Sequence, residues 1–559
     1  MKKIVFLALA IILIASMALI GCNKASTTTT AAPPSTTTKT TTSAPPASTT
    51  AAPTPTKTTV APPEDNRLPN LGNLAKPAGG KTGGRLQLVT AGGILNLSDI
   101  SQGAGPNDAG FAFPCVEPLL RLDGNQQLQP WLAEKFEIAA DFSSITLNLR
   151  KGIKFHDGTP FNAAAVKWVL DTAIANTVYT QAHAFQSPVI VDDYTVKLNF
   201  VDGKWNWDSA KGLAYWWGML MYSPTAAQTH DSDWLKTNVV GTGPFILKEY
   251  VRDQKCSYDA NVDYWRGKPY LDGIDFNIIP DPTTQLLSYK SGELHVIGVQ
   301  PKDVDTLKAE GYSIIETQDA VPNNCLVPSS KDPNSPLSNI KVRQAVAYAI
   351  DQDALIQGIT YNHGSPSQQL FPLPPYKNTS VTGYPYNPNM AKQLLQEAGF
   401  GTGLTIKITY SEFTVQELPV ALKDMLAQVG ITLELNKVSS LQTGDMIFTS
   451  GWDGYLISFT FPGKTIDPGF TAGMYITQFG WVSLDKPADI AAVINQAAVE
   501  PDNAKRTALY QQIDKMMTDQ CVFQYLYWIG GFTSISPELK AYTIGQYSEF
   551  YAYTFAYLD

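Results

Sequence analysis

LQPWLAEKFEIAADFSSITLNLRKGIKFHDGTPFNAAAVKW, residues 128–168, carries strand, turn and helix signals in one stretch. SITLNLR (144–150) alternates apolar and polar side chains, the period of a strand with one buried face. Thr159-Pro160 then predicts a helix start. Threonine can cap a first turn, and a proline there gives up an N–H that the helix does not use. Between the two lies His156-Asp157. Such a pair is half of a nucleophilic constellation, but no third member has local support, so a structural turn is the expected role.

The same signals recur along the chain. RLQLVT (85–90), YTVKLNF (194–200), LTIKITY (404–410) and ITLELNKV (431–438) read as strands. Val342, Ala345, Val346, Ala349 and Ile350 fall at i, i+3, i+4, i+7 and i+8, one face of a helix. In YNPNMAKQLLQEAGF (386–400), Asn387 is the cap, Pro388 the first residue and Gly399 the stop. Another helix leads to Gly430. Leu509, Ile513, Met516 and Met517 mark a late amphipathic helix. Alternating short strands and helices define an α/β chain, long enough for at least two lobes with cores of their own.

Composition narrows the class. Charged residues are 16% and the formal net charge is −9, with no block of Lys or Arg. Phosphate binding needs clustered cations, so nucleic acid is not an expected partner. After Cys22 come only Cys115, Cys256, Cys325 and Cys521, far apart and without CxxC, which disfavours zinc. Three full disulfide pairings, or free buried thiols, stay open.

The first residues have a separate meaning. Lys2 and Lys3 precede an apolar run, Ile4 to Ile20, in the layout of an export signal. Leu19-Ile20-Gly21-Cys22 resembles the lipobox of bacterial lipoproteins. That resemblance implies cleavage after residue 21 and lipidation of the Cys22 thiol, and two or more acyl chains hold a protein on a membrane. Residues 22–78 then read as the lipidated cysteine and a disordered Ser/Thr/Pro-rich tether, with too little apolar surface to fold. As a coil, its ~40 residues from Asn23 to about Pro63 span on the order of 35 Å, and drawn out on the order of 120 Å.

Beyond pattern, several stretches resemble the extracellular solute-binding proteins of ABC importers, in the large peptide/nickel (oligopeptide- and dipeptide-binding) family. They are 128–168, VGTGPFILKEYVRDQKCSYDANVDYWRGKPYLDGIDFNIIPD (240–281), IKVRQAVAYAIDQDALIQGI (340–359), YNPNMAKQLLQEAG (386–399) and NAKRTALYQQIDKMMTDQCVFQYLYW (503–528). The resemblance implies a two-lobe periplasmic-binding-protein-like α/β fold with a hinge and an interlobe cleft. Lobe I would hold 79–299, lobe II 300–521, and 522–559 would return to lobe I. It further implies a monomer outside the cell membrane, held by its lipid, which passes a small-molecule or peptide-like solute to a permease and ATPase complex without chemistry of its own. It also puts the His156-Asp157 turn in lobe I, away from the cleft, and reads GTGPF (241–245) as a tight turn and not a phosphate loop, for want of the third Gly and the Lys-Ser/Thr.

The same resemblance marks a cleft. Ser101 and Gly103 match a lobe I loop that touches ligand in relatives. Trp216, Trp217, Phe459, Phe461, Tyr475 and Trp481 offer aromatic surface. Relatives that hold peptides by their ends use an Asp after the strand matching Tyr455–Phe459 and an Arg after the one matching Leu404–Tyr410. Here no acid lies between Thr460 and Ile466, where Lys464 stands, and Asp467 matches a turn beyond the anchor. Ser411-Glu412-Phe413 replaces the Arg. Ser-Glu cannot form a bidentate carboxylate clamp. The expected ligand is therefore not a short free peptide held by both termini. Nothing points to a cofactor or a resident metal: His156, His183, His230, His295 and His363 are scattered, and HExxH and GxSxG are absent. A sensor partner of the same fold is the second reading, and an exported hydrolase the third.

Overall fold

Residues 76–559 are described by a computed structural model, apart from 95, 103–109, 124–126, 177–178, 180, 318–322, 461–467, 478–479 and 543–551. They fall in the unit Asn66–Asp559. The Met1–Asp65 unit, which holds the expected export signal, Cys22 and most of the expected tether, lies outside the described residues.

Lobe I is built on two sheets. Arg85–Thr90 runs parallel to Gly273–Ile278, followed antiparallel by Lys255–Ala260 and Phe245–Val251. The second sheet, wholly antiparallel, orders Ala133–Ile138, Ser144–Leu149, Thr195–Asn199 and Val189–Asp192. Period two sends Ile145, Leu147 and Leu149 into the core, each at most 1% exposed. That one cluster also takes in Leu86, Phe161, Val166 and Tyr258.

The helix expected at Thr159-Pro160 starts later, at Ala163, and runs to Ala175. Thr159 is occupied by Asp157, whose Oδ1 accepts its backbone N–H at 3.0 Å, and Pro160 bridges to Lys154 in strand fashion. Asn162 is the cap instead, accepting from Ala165 N at 3.0 Å. Elsewhere the signals hold. Asn387 caps Pro388–Glu397, and Gly399 follows at φ +89°, where only glycine is unstrained.

Lobe II is a three-layer sandwich. Its sheet orders Gly364–Ser365, Gln524–Ile529, Asn323–Pro328, Tyr455–Thr460, Leu404–Ser411 and Ile431–Val438. Alternate residues supply opposite faces. Leu326, Tyr455, Ile457 and Leu526 pack under the helices Ile340–Ala349, Pro388–Glu397 and Glu417–Ala427. Cys325, Val327, Leu456 and Tyr525 pack under Pro468–Ile476, Ala488–Val499 and Asn503–Asp519.

The lobes are joined by a small sheet, Val296–Gly298 and Ile314–Thr317 on either side of Gly531–Ile535. The return to lobe I expected from 522 begins later. Gln524–Ile529 pairs with Asn323–Pro328 inside the lobe II sheet. Only after Gly531–Ile535 do Leu539, Ala552, Tyr553 and Ala556 enter the lobe I core. Cys115, Cys256, Cys325 and Cys521 are buried free thiols. Among the described residues no helix is long and apolar enough to cross a membrane.

Candidate functional site: the interlobe edge of lobe II

Strand direction places the site. Leu404–Ser411 is parallel to both Ile431–Val438 and Tyr455–Thr460. Gln524–Ile529 shares their direction, because it and Tyr455–Thr460 are both antiparallel to Asn323–Pro328. Four carboxyl ends therefore lie on one edge. The chain enters the sheet on that edge at Asn323, abreast of Thr460 and Trp528, and leaves it just after Ile529. The edge faces the crossing to lobe I, and ligands in α/β sheets sit outside the carboxyl ends of strands.

Ser411 lies on this edge, level with Val438. Its carbonyl accepts from Thr414 N at 2.9 Å and its Oγ from Phe413 N at 3.3 Å, while Glu412 N donates to Val438 O at 2.9 Å. The turn exposes Glu412 and leaves Phe413 81% exposed. Phe459 belongs to the adjoining strand, opposite Asn324. Its side chain, and all of Phe461 and Lys464, lie outside the described residues.

On the lobe I side Ser101 is exposed and fixed. Its Oγ donates to Asp99 Oδ1 at 2.5 Å and its carbonyl accepts from Asn176 Nδ2 at 2.7 Å. Gly103 lies outside the described residues, as does the Trp217 side chain.

Three expected aromatic surfaces are core instead. Trp216, 7% exposed, packs edge-on against Tyr215 at 6.1 Å in the lobe I cluster. Tyr475 and Trp481 stack at 4.2 Å, with Phe523 and Trp452 against them. Tyr475 is fully buried, and its hydroxyl is 3.1 Å from Ser458 Oγ. All three rings are buried, Tyr475 and Trp481 against one another and Trp216 in the lobe I core. What the structure gathers at the edge is Ser411, Glu412 and the Phe459 backbone.

His156 and GTGPF turn out to be one joint. His156 N donates to Gly241 O at 2.8 Å, and its Nε2 is 3.0 Å from Gly243 O. Nδ1 accepts from Gly241 N at 3.4 Å, which leaves the proton on Nε2. Asp157 instead receives Thr159 and Ser223, so the two residues do not form an acid–base pair. Burial lowers the His156 pKa from 6.5 to about 4. The unfolded chain thus takes up a proton that the folded chain refuses between those values, and stability falls as pH drops through that window. Allowing for the partial exposure of the ring, the loss is about 2 kcal/mol. His156→Gln, which keeps the donor to Gly243, is expected to lessen the loss of stability between pH 7 and 4 by that amount in urea titrations. Equal slopes in both proteins would contradict this.

Sequence reading missed Glu117, a carboxylate 1% exposed in the lobe I core. It accepts from Trp131 Nε1 (2.9 Å), Tyr264 OH (2.7 Å), Thr242 Oγ1 (2.8 Å) and Trp265 Nε1 (3.1 Å). Burial raises its pKa, and the four donors pull it part of the way back. An acid inside the apolar run FPCVEPLL was the available signal.

Comparison with known proteins agrees with this architecture. Residues 127–473 match the model of bacterial extracellular solute-binding proteins, family 5. Heme-binding protein A of Haemophilus influenzae is 27% identical over 469 residues, 75% of this chain and 82% of that protein. The dipeptide-binding protein of Escherichia coli is 26% identical over 460 residues, 75% and 84% of the two chains. The crystal structure of NikA from Brucella suis in complex with Fe(III)-EDTA shares the fold at a TM-score of 0.74 and 22% identity, covering 85% of this chain and all of the other. With the matched segment running through both lobes, the chain belongs to the bacterial extracellular solute-binding proteins of family 5.

Proposed function

We propose that this chain is the capture subunit of an ABC importer, a monomer that takes up a solute outside the cell membrane between its lobes and hands it to a permease. The reading rests on one observation above all: two independent cores joined by a small crossover sheet, with four strand carboxyl ends gathered at the crossing. Hinge closure around such an edge buries a ligand reversibly. A micromolar site needs only about −8 kcal/mol. Binding and release suffice for this role, without a reaction. Lipidation of Cys22 and the tether that follows would keep the receptor near its permease.

The solute is not a short peptide gripped at both ends. The named relatives bind heme or a dipeptide, so the fold leaves the cargo open. Ser411-Glu412-Phe413 offers a hydroxyl, an acid and a bare phenyl ring, and no guanidinium for a terminal carboxylate. Titration calorimetry of the full chain with di- and tetrapeptides is expected to give no heat at micromolar concentrations. Saturation by either would overturn the ligand assignment while leaving the receptor role in place.

A further inference from the structure

Trp207 begins the helix Trp207–Tyr215 and belongs to the lobe I core, 5.4 Å from Trp205. Arg506 lies in the first turns of Asn503–Asp519, in lobe II, and is 1% exposed. Its guanidinium carbon sits 4.1 Å from the centre of the Trp207 ring. The cation is aimed from its own side: Nη1 donates to Glu500 O at 2.9 Å and Nη2 to Asn503 Oδ1 at 2.8 Å. Beside this stack the helix Trp207–Tyr215 packs on Ala488–Val499. A lobe I helix and two lobe II helices therefore meet at one indole, on which the buried Arg506 guanidinium of lobe II stacks at 4.1 Å and the buried Lys211 ammonium of lobe I lies at 5.5 Å.

The crossover itself is slight. Among the described residues its core holds seven buried hydrophobic side chains, among them Tyr289, Ile297, Val304 and Phe532. Contacts away from such a hinge decide between open and closed arrangements. A desolvated cation–π stack is stronger than an exposed one, and the planar guanidinium suits the indole face better than an ammonium would.

We infer that Arg506 and Trp207 are a positioning pair that holds the lobes closed and thereby sets the affinity for whatever solute is captured. The effect on affinity rests on the proposed receptor role. A contact made only in the closed state stabilises the closed complex, and its loss weakens capture by the factor that it removes from closure.

The test needs no solute. Spin labels on Lys135→Cys in lobe I and Lys423→Cys in lobe II, both exposed positions, report the lobe separation of the full chain by double electron–electron resonance. Arg506→Ala and Trp207→Leu are each expected to lower the closed-to-open ratio about ten-fold. The double variant should do no more than either alone, since both remove one contact. Arg506→Lys, which keeps a cation, and Trp207→Phe, which keeps an aromatic ring, should fall between. A purely structural role would lower the melting temperature and leave the distances alone. Unchanged distances in folded single variants, or effects that multiply in the double, would overturn the inference. Failure to bind any solute would count against the receptor role and leave this readout untouched.

Discussion

Glu117→Leu is expected to lower the unfolding free energy of lobe I by about 5 kcal/mol, and Glu117→Gln by only about 1–2 kcal/mol. Leucine strands four donors in the core: two indole N–H groups, a phenol and a threonine hydroxyl. Each orphaned group costs about 1–3 kcal/mol, and the sum is less than additive because the site relaxes. Glutamine keeps Oε1 for Trp131, Tyr264 and Trp265, and the Thr242 hydroxyl can turn to accept from the new amide. The pair of variants thus separates hydrogen bonding from charge. Calorimetric unfolding checks it. Equal losses in both variants would mean that the charge, and not the number of acceptors, holds the site together.

Gly241→Ala should cost about 3 kcal/mol or more. A Cβ there would stand 2.0 Å from the Cys115 carbonyl oxygen and 2.9 Å from Val116 Cγ1. A backbone atom cannot swing aside as a side-chain tip can. The same residue carries the joint to His156 through both its N–H and its carbonyl, so yielding there disturbs two loops at once. Gly444→Ala is the control. It lies in the short helix Ser440–Asp445, its Cβ would meet nothing within 4 Å, and a gain of about 0.5–1 kcal/mol is expected. Comparable losses at both positions would refute a steric account.

Local signals made most of the elements legible. Alternation located SITLNLR and LTIKITY because one face of each strand is buried, and Asn387-Pro388 located a helix because cap chemistry is local. The misread start at Thr159 shows the limit. A tertiary demand, the Asp157 turn and the bridge from Pro160 to Lys154, overrode a plausible cap. The candidate site was less legible. Ser411 and Glu412 reach the interlobe edge because strand order and direction put them there, which no window of sequence contains. Tyr475 and Trp481 looked like ligand surface because an aromatic residue reads the same whether it stacks on a sugar or on another ring. The Arg506–Trp207 stack joins residues roughly three hundred positions apart, and only folding brings them together.

Native mass spectrometry of the full chain, purified in detergent without denaturation and then denatured to release what it carries, tests solute capture. A stoichiometric small molecule of defined mass is expected, absent from the denatured protein and not a peptide series. A chain that stays empty as isolated, and remains so after exposure to peptides, sugars, aromatic compounds, heme and metal chelates, would contradict solute capture.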